Sequence, residues 1–220
     1  MKEKPSFEQD PVPGLSPGRA NHAGRRRSRS LIGLALSLGL VGVAQAAPGD
    51  LDPSFSGDGM VIMTAGGAEA ARSIALQPDG RIVAAGESFN GVDRDFALAR
   101  YNPDGSLDPT FDGDGMVMTP VLRRGDEVRG VVLQPDGKIV AAGLATVNPA
   151  ISDYDSAVVR YNPDGSLDTT FDGDGKVTHS IGPDYDEARS VALQPDGKIV
   201  AAGVASNGLD FDFALLRYNP

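Results

Sequence analysis

The chain has 220 residues, of which 28 are Gly and 16 Pro, a density of turn formers that argues for many short elements rather than long helices. It contains no Cys, which excludes a disulfide framework, a thiol nucleophile and a thiolate metal site. The first 46 residues carry seven basic and three acidic side chains; the other 174 carry 13 and 27, a net of −14. That body lacks the basic face needed to bind a phosphate backbone, so nucleic acid is not an expected partner.

Residues 25–29 read RRRSR, followed by the apolar run 31–43 and then Ala44-Gln45-Ala46. A positive region, a short apolar segment and an A-x-A site make a secretory signal peptide over 25–46, preceded by a disordered polar prefix over 1–24. The apolar run falls short of the about 20 residues a spanning helix needs, so no membrane span is expected after cleavage. Arg29 stands where a twin-arginine signal wants an apolar residue, which favours the general secretion route. The mature chain is expected to begin near Ala47 and to be secreted, periplasmic or held at the cell surface.

From Leu51 the chain is one unit written three times. Leu76-Gln77-Pro78-Asp79-Gly80 recurs at Leu133 and at Leu193, and Arg100-Tyr101-Asn102-Pro103 recurs at Arg160 and at Arg217. Phe55, Phe111 and Phe171 each open a stretch that ends in Gly-Asp-Gly. The units are therefore 51–106, 107–166 and 167–220, with their length differences confined to loops such as 144–154.

Each unit reads as four short strands, in the second at 116–120, 129–134, 138–143 and 156–161. Gln-Pro-Asp-Gly between two apolar runs signals a tight hairpin, with Pro pre-set for the turn and Gly where the chain re-enters a strand. Ile139-Val140-Ala141-Ala142 and Phe213-Ala214-Leu215-Leu216 are apolar on both pleat faces, which suits a sheet stacked between two neighbours and not one with a wet face. The expected fold is all-β, with propeller-like blades of four antiparallel strands and three units forming an incomplete propeller. Ala-Ala-Gly ends every third strand (Gly86, Gly143, Gly203) and admits two readings, crowding at a propeller axis or close sheet-to-sheet packing.

The recurring LQPDGKIVAAG, with Arg81 for Lys in the first copy, together with RYNPDGSLD and FDGDG, resembles the delta-60 repeat, a bacterial β-propeller repeat of unknown function. The resemblance covers residues 51–220. It implies a propeller-like fold in exported or surface-attached proteins, no enzymatic activity and no catalytic residues. Members of that family usually string more repeats together. Three units are too few to close a ring of four to eight blades. The chain is thus expected to be a piece of a longer gene, to self-associate and complete the propeller between copies, or to form an open arc capped by something else.

Candidate chemistry is sparse, because what recurs is the same set of polar groups in every unit. Asp95, Asp155 and Asp212, five residues before Arg100, Arg160 and Arg217, are read as tying strands to turns, and Tyr101, Tyr161 and Tyr218 as amphipathic caps of the blade edge. Asp108, Asp112 and Asp114, with Asp168, Asp172 and Asp174, place carboxylates among glycines and are weak Ca²⁺ candidates; plain turns are the competing reading. The mature part has a single His, His179, and no nucleophile or metalloprotease motif, so no catalytic or cofactor-binding residue is assigned. The expected function is an exported non-catalytic interaction or scaffolding module for a protein or glycan partner. The alternatives are a Ca²⁺-binding adhesion propeller or a secreted glycan-acting hydrolase. Loops 86–94, 144–154 and 203–210 vary between units on a constant scaffold and admit two readings, a binding surface or unconstrained loops.

Overall fold

The computed structural model describes residues 47–64, 67–122, 124–150 and 153–220; the segments expected to be a polar prefix (1–24) and a signal peptide (25–46) lie outside them. Among the described residues the regular structure is entirely β. The first sheet runs β1 (Glu69–Leu76), β2 (Ile82–Phe89), β3 (Arg94–Tyr101), β4 (Met116–Thr119). The second runs β5 (Asp126–Leu133), β6 (Ile139–Asn148), β7 (Asp153–Tyr161), β8 (Lys176–His179). The third has three strands, β9 (Asp186–Leu193), β10 (Ile199–Ser206) and β11 (Phe211–Tyr218). All pairings are antiparallel between chain neighbours, so each sheet is a meander, and the three are the blades of an open, incomplete β-propeller.

The hairpins follow their turn chemistry. Gly80 N–H donates to Gln77 O at 3.0 Å and sits at φ +85°, a conformation glycine adopts without strain. Asp79 Oδ1 accepts the Arg81 amide at 3.1 Å, which closes the corner, and Gln134–Lys138 repeats the geometry.

The blades are offset from the sequence units. β4 comes from the segment that opens the second unit, yet it pairs with β3 of the first; β8 opens the third unit and pairs with β7. The first and second blades thus each take three strands from their own unit and the outermost strand from the next. The corresponding segment of the first unit, residues 60–63, forms no strand, and among the described residues no sheet precedes it to offer an edge.

Two apolar clusters hold the blades together. One joins Val83, Phe96 and Leu98 of the first blade to Ala141, Ala157, Val159 and Tyr161 of the second. The other joins Val140, Ala142 and Val158 to Ile199 and Ala201 of the third. In β6 the eight residues from Ile139 are buried without alternation, as a strand covered on both faces must be. The innermost strands β1, β5 and β9 lie side by side.

The crowding at Gly86, Gly143 and Gly203 arises within each sheet, whereas the alanines before them pack in the clusters between sheets, in line with the sheet-to-sheet reading of Ala-Ala-Gly. A Cβ on these residues would lie 1.8, 1.9 and 1.8 Å from the carbonyl oxygens of Ala70, Glu127 and Glu187 on the neighbouring strand. The registers slip at the same places, where Arg72, Arg129 and Arg189 are the unpaired bulge residues. A bulge re-aims its extra side chain, and the price here is an obligatory glycine opposite. Gly143→Ala is expected to cost about 1–3 kcal/mol, as forced overpacking does. Chemical denaturation of the variant would check it, and an unchanged midpoint would refute the close approach.

Candidate interaction surface

The carboxylates singled out as Ca²⁺ candidates divide into two environments. Asp108 and Asp168 are buried and already engaged. Asp108 Oδ2 accepts Arg100 Nε at 2.7 Å, and its Oδ1 accepts the Thr110 hydroxyl at 2.7 Å and the Thr110 amide at 3.0 Å. Asp168 does the same with Arg160 and Thr170, and Lys138 Nζ stands 3.1 Å from it. Burial alone would raise the Asp168 carboxyl; the Thr170 hydroxyl, Lys138, the Thr170 amide and Arg160 instead hold it well below the ordinary carboxylate range. Asp112, Asp114, Asp172 and Asp174 are exposed, and Asp114 and Asp174 accept the amides of Met116 and Lys176 at 2.9 Å. Among the described residues no three His, Asp or Glu side chains converge as metal ligands would.

The other recurrent polar groups are structural. Asp95 and Asp212 accept the side-chain amides of Asn90 and Asn207, tying strand to loop. Tyr161 is fully buried beside Thr119, and Tyr218 packs edge-on against His179, so these rings wedge between blades rather than cap an outer edge. The bulge arginines were not singled out by the sequence. Arg129 Nε reaches Glu187 Oε1 at 2.5 Å across the blade boundary, and Arg189 meets the same carboxylate at 2.8 Å. Burial would raise Glu187, but Arg189 and Arg129 hold its carboxyl down, and Arg72 is matched by Glu87. The bulge arginines are therefore compensated, Arg72 and Arg189 within their own blades, while Arg129 straps the second blade to the third.

The varying loops do gather on one rim, at the β2–β3, β6–β7 and β10–β11 hairpin ends. Each puts an aliphatic side chain into solvent: Val92, Val147 and Leu209. Between the first two blades this rim holds a groove of about 530 Å³, lined by Phe89, Arg94, Arg124, Glu127, Thr146 and Tyr154 among others. The groove exists because of one substitution between units. Gly125 occupies the position that Tyr185 holds in the third unit. At the second boundary Tyr185 fills the space, stacking edge-to-face with Tyr154 at 5.1 Å and Phe211 at 5.5 Å. At the first boundary the equivalents are Arg94, which reaches Glu127 at 3.6 Å, and a glycine at φ +99° whose Cβ would meet nothing closer than 3.7 Å.

Asp126 braces the segment that carries Arg124. Its carboxylate is fully buried and accepts the amides of Val121 at 2.7 Å and Leu122 at 3.0 Å. Burial outweighs these bonds and pushes its pKa up to about 6. The folded protein therefore holds this proton more tightly than the unfolded chain. The resulting stability is complete below the ordinary carboxylate value and lost as pH rises through about 6. Relative to Asp126→Asn, the native chain is expected to lose about 2 kcal/mol between pH 4 and 7. Denaturation across that pH range checks it, and parallel curves for the two proteins would contradict it.

No curated protein matches this chain. A protein-family model described as "Domain of unknown function (DUF5122) beta-propeller" matches residues 77–111, 134–171 and 194–220, one stretch per repeat, so over its three repeats the chain is similar to a β-propeller family.

Proposed function

We propose that the repeats are of the bacterial delta-60 type, and that the chain is an exported, non-catalytic interaction module that binds a protein or glycan through its loop rim. The observation that carries this reading is the groove at the first blade boundary. It is built where the units diverge, while the strands, turns and buried ion pairs around it repeat. Its lining combines what recognition surfaces use: an amphipathic aromatic in Tyr154, cationic forks in Arg94 and Arg124, and the Thr146 hydroxyl. The exposed aliphatic tips at Val92, Val147 and Leu209 extend the same surface. The RRRSR–apolar–Ala-Gln-Ala pattern of residues 25–46 supports export, which would put the rim outside the cytoplasm.

Arg124→Ala combined with Tyr154→Ala is expected to weaken binding to intact cells or to an array of glycans at least about tenfold, the scale of one lost anchor at an interface. Arg124 is exposed, whereas Tyr154 also stacks on Tyr185. The melting temperature is therefore expected to fall by the loss of that one ring contact, and binding is compared where both proteins remain folded. Binding that survives both changes, or that falls only in step with unfolding, would refute the assignment of this groove.

A further inference from the structure

We propose that Arg72, Arg129 and Arg189 form a binding site for a tetrahedral oxyanion, a phosphate or sulfate group, where the innermost strands of the three blades adjoin. One arginine comes from each unit, and each is the extra residue of a β-bulge, in β1, β5 and β9. The three line one cavity of about 460 Å³, together with Tyr185 and Glu187. None of these residues lines the rim groove, so this site goes beyond the groove reading and is tested separately from it.

Strapping of blades accounts for only one of the three. Arg129 crosses a boundary to Glu187, whereas Arg72 pairs with Glu87 and Arg189 with Glu187 inside their own blades. Every unit nevertheless keeps a bulge, and a glycine crowded opposite it, at this position. Bulges re-aim a side chain, and what the three re-aimed guanidinium groups have in common is the cavity.

The carboxylates lie behind the cations. The side chains of Glu87 and Glu187 are 2% and 4% exposed, against 41% for Arg72 and 26% for Arg129. The pairs thus fix the guanidinium planes and leave cationic edges to solvent. Donors are left over as well. Arg72 Nη1, Arg129 Nη1 and both terminal nitrogens of Arg189 donate no hydrogen bond to a carboxylate among the described residues. Burial disfavours the charge of Arg129, and so does the nearby Arg72; Glu187 and Glu127 outweigh both and raise its pKa. An anion bound between these like charges would relieve their repulsion. Three forks from three adjoining strands suit a group with three or four oxygens better than a planar carboxylate with two.

Phosphorus-31 NMR of inorganic phosphate at constant ionic strength is expected to show saturable line broadening by the protein. Arg189→Gln leaves Glu187 paired with Arg129 and should weaken binding at least about tenfold, the scale of one lost hydrogen bond to a charged group. Arg72→Gln should do the same, and Arg189→Lys, which keeps the charge but not the fork, should recover only part. Lys198→Gln removes one positive charge elsewhere and should change nothing. Glucose 6-phosphate in the same assay separates the sources. Tighter binding than inorganic phosphate would assign the group to a sugar ester, equal binding to the free ion, and both results uphold the site. No broadening, or the same loss in Lys198→Gln as in Arg189→Gln, would overturn the proposal and leave the groove reading untouched.

Discussion

The stacking of the first two blades depends on a guanidinium buried at the end of each one's third strand. Arg100 and Arg160 are each only 4% exposed, and each spends its charge on an aspartate eight residues downstream. Burying such a pair is unfavourable unless its remaining donors and acceptors are satisfied. Here they are: Thr110 or Thr170 bridges both partners, and the guanidinium lies over Phe111 or Phe171 at 4.8 or 4.7 Å. The pair draws the long, strandless connection 102–115 back onto β3, so that Gly115 O receives the Arg100 amide and β4 starts in register. It also sets Phe111 between blades, where Arg100 donates to the Pro163 carbonyl of the next one. Blade closure and blade stacking are thus consequences of one ion pair.

That dependence explains which parts of the fold were legible in the residues. Gln-Pro-Asp-Gly, the β-branched runs and the two-faced apolarity of Ile139-Val140-Ala141-Ala142 report local requirements, and the structure meets them. Partnership between distant elements is a different kind of information. Nothing in Met116-Val117-Met118-Thr119 says which sheet it joins, so the one-strand offset between units and blades was hidden. Asp108 read as a carboxylate in a Gly-rich turn because its partner, Arg100, lies in the preceding unit. The crowding at Gly143 comes from a neighbouring strand's carbonyl brought close by a bulge, and a bulge leaves no mark on hydrophobic alternation.

The candidate surface divides in the same way. Loops that differ in length and composition between units could be picked out by aligning the repeats, and they do share a rim. The groove itself could not be, because it is the absence of a side chain. Gly125 and Tyr185 are ordinary residues until their strands are stacked; then one leaves a space and the other completes an aromatic row from Tyr154 to Phe211. A repeat with buried polar anchors tolerates this, since the rim positions carry none of the pairing that fixes the blade.

The anchors also make each boundary the joint property of two successive units, because the Phe-containing turn of one unit is wedged against the blade of the next. Three units therefore contain two complete boundaries and two halves. In the complete ones Phe111 and Phe171 are buried and every tyrosine meets the last residue of a fourth strand. In the halves Phe55 is only half-buried, Arg217 is exposed, and Phe213 and Leu215 stand in solvent. One half has a wedge and a fourth-strand segment without a sheet; the other has a sheet edge without either.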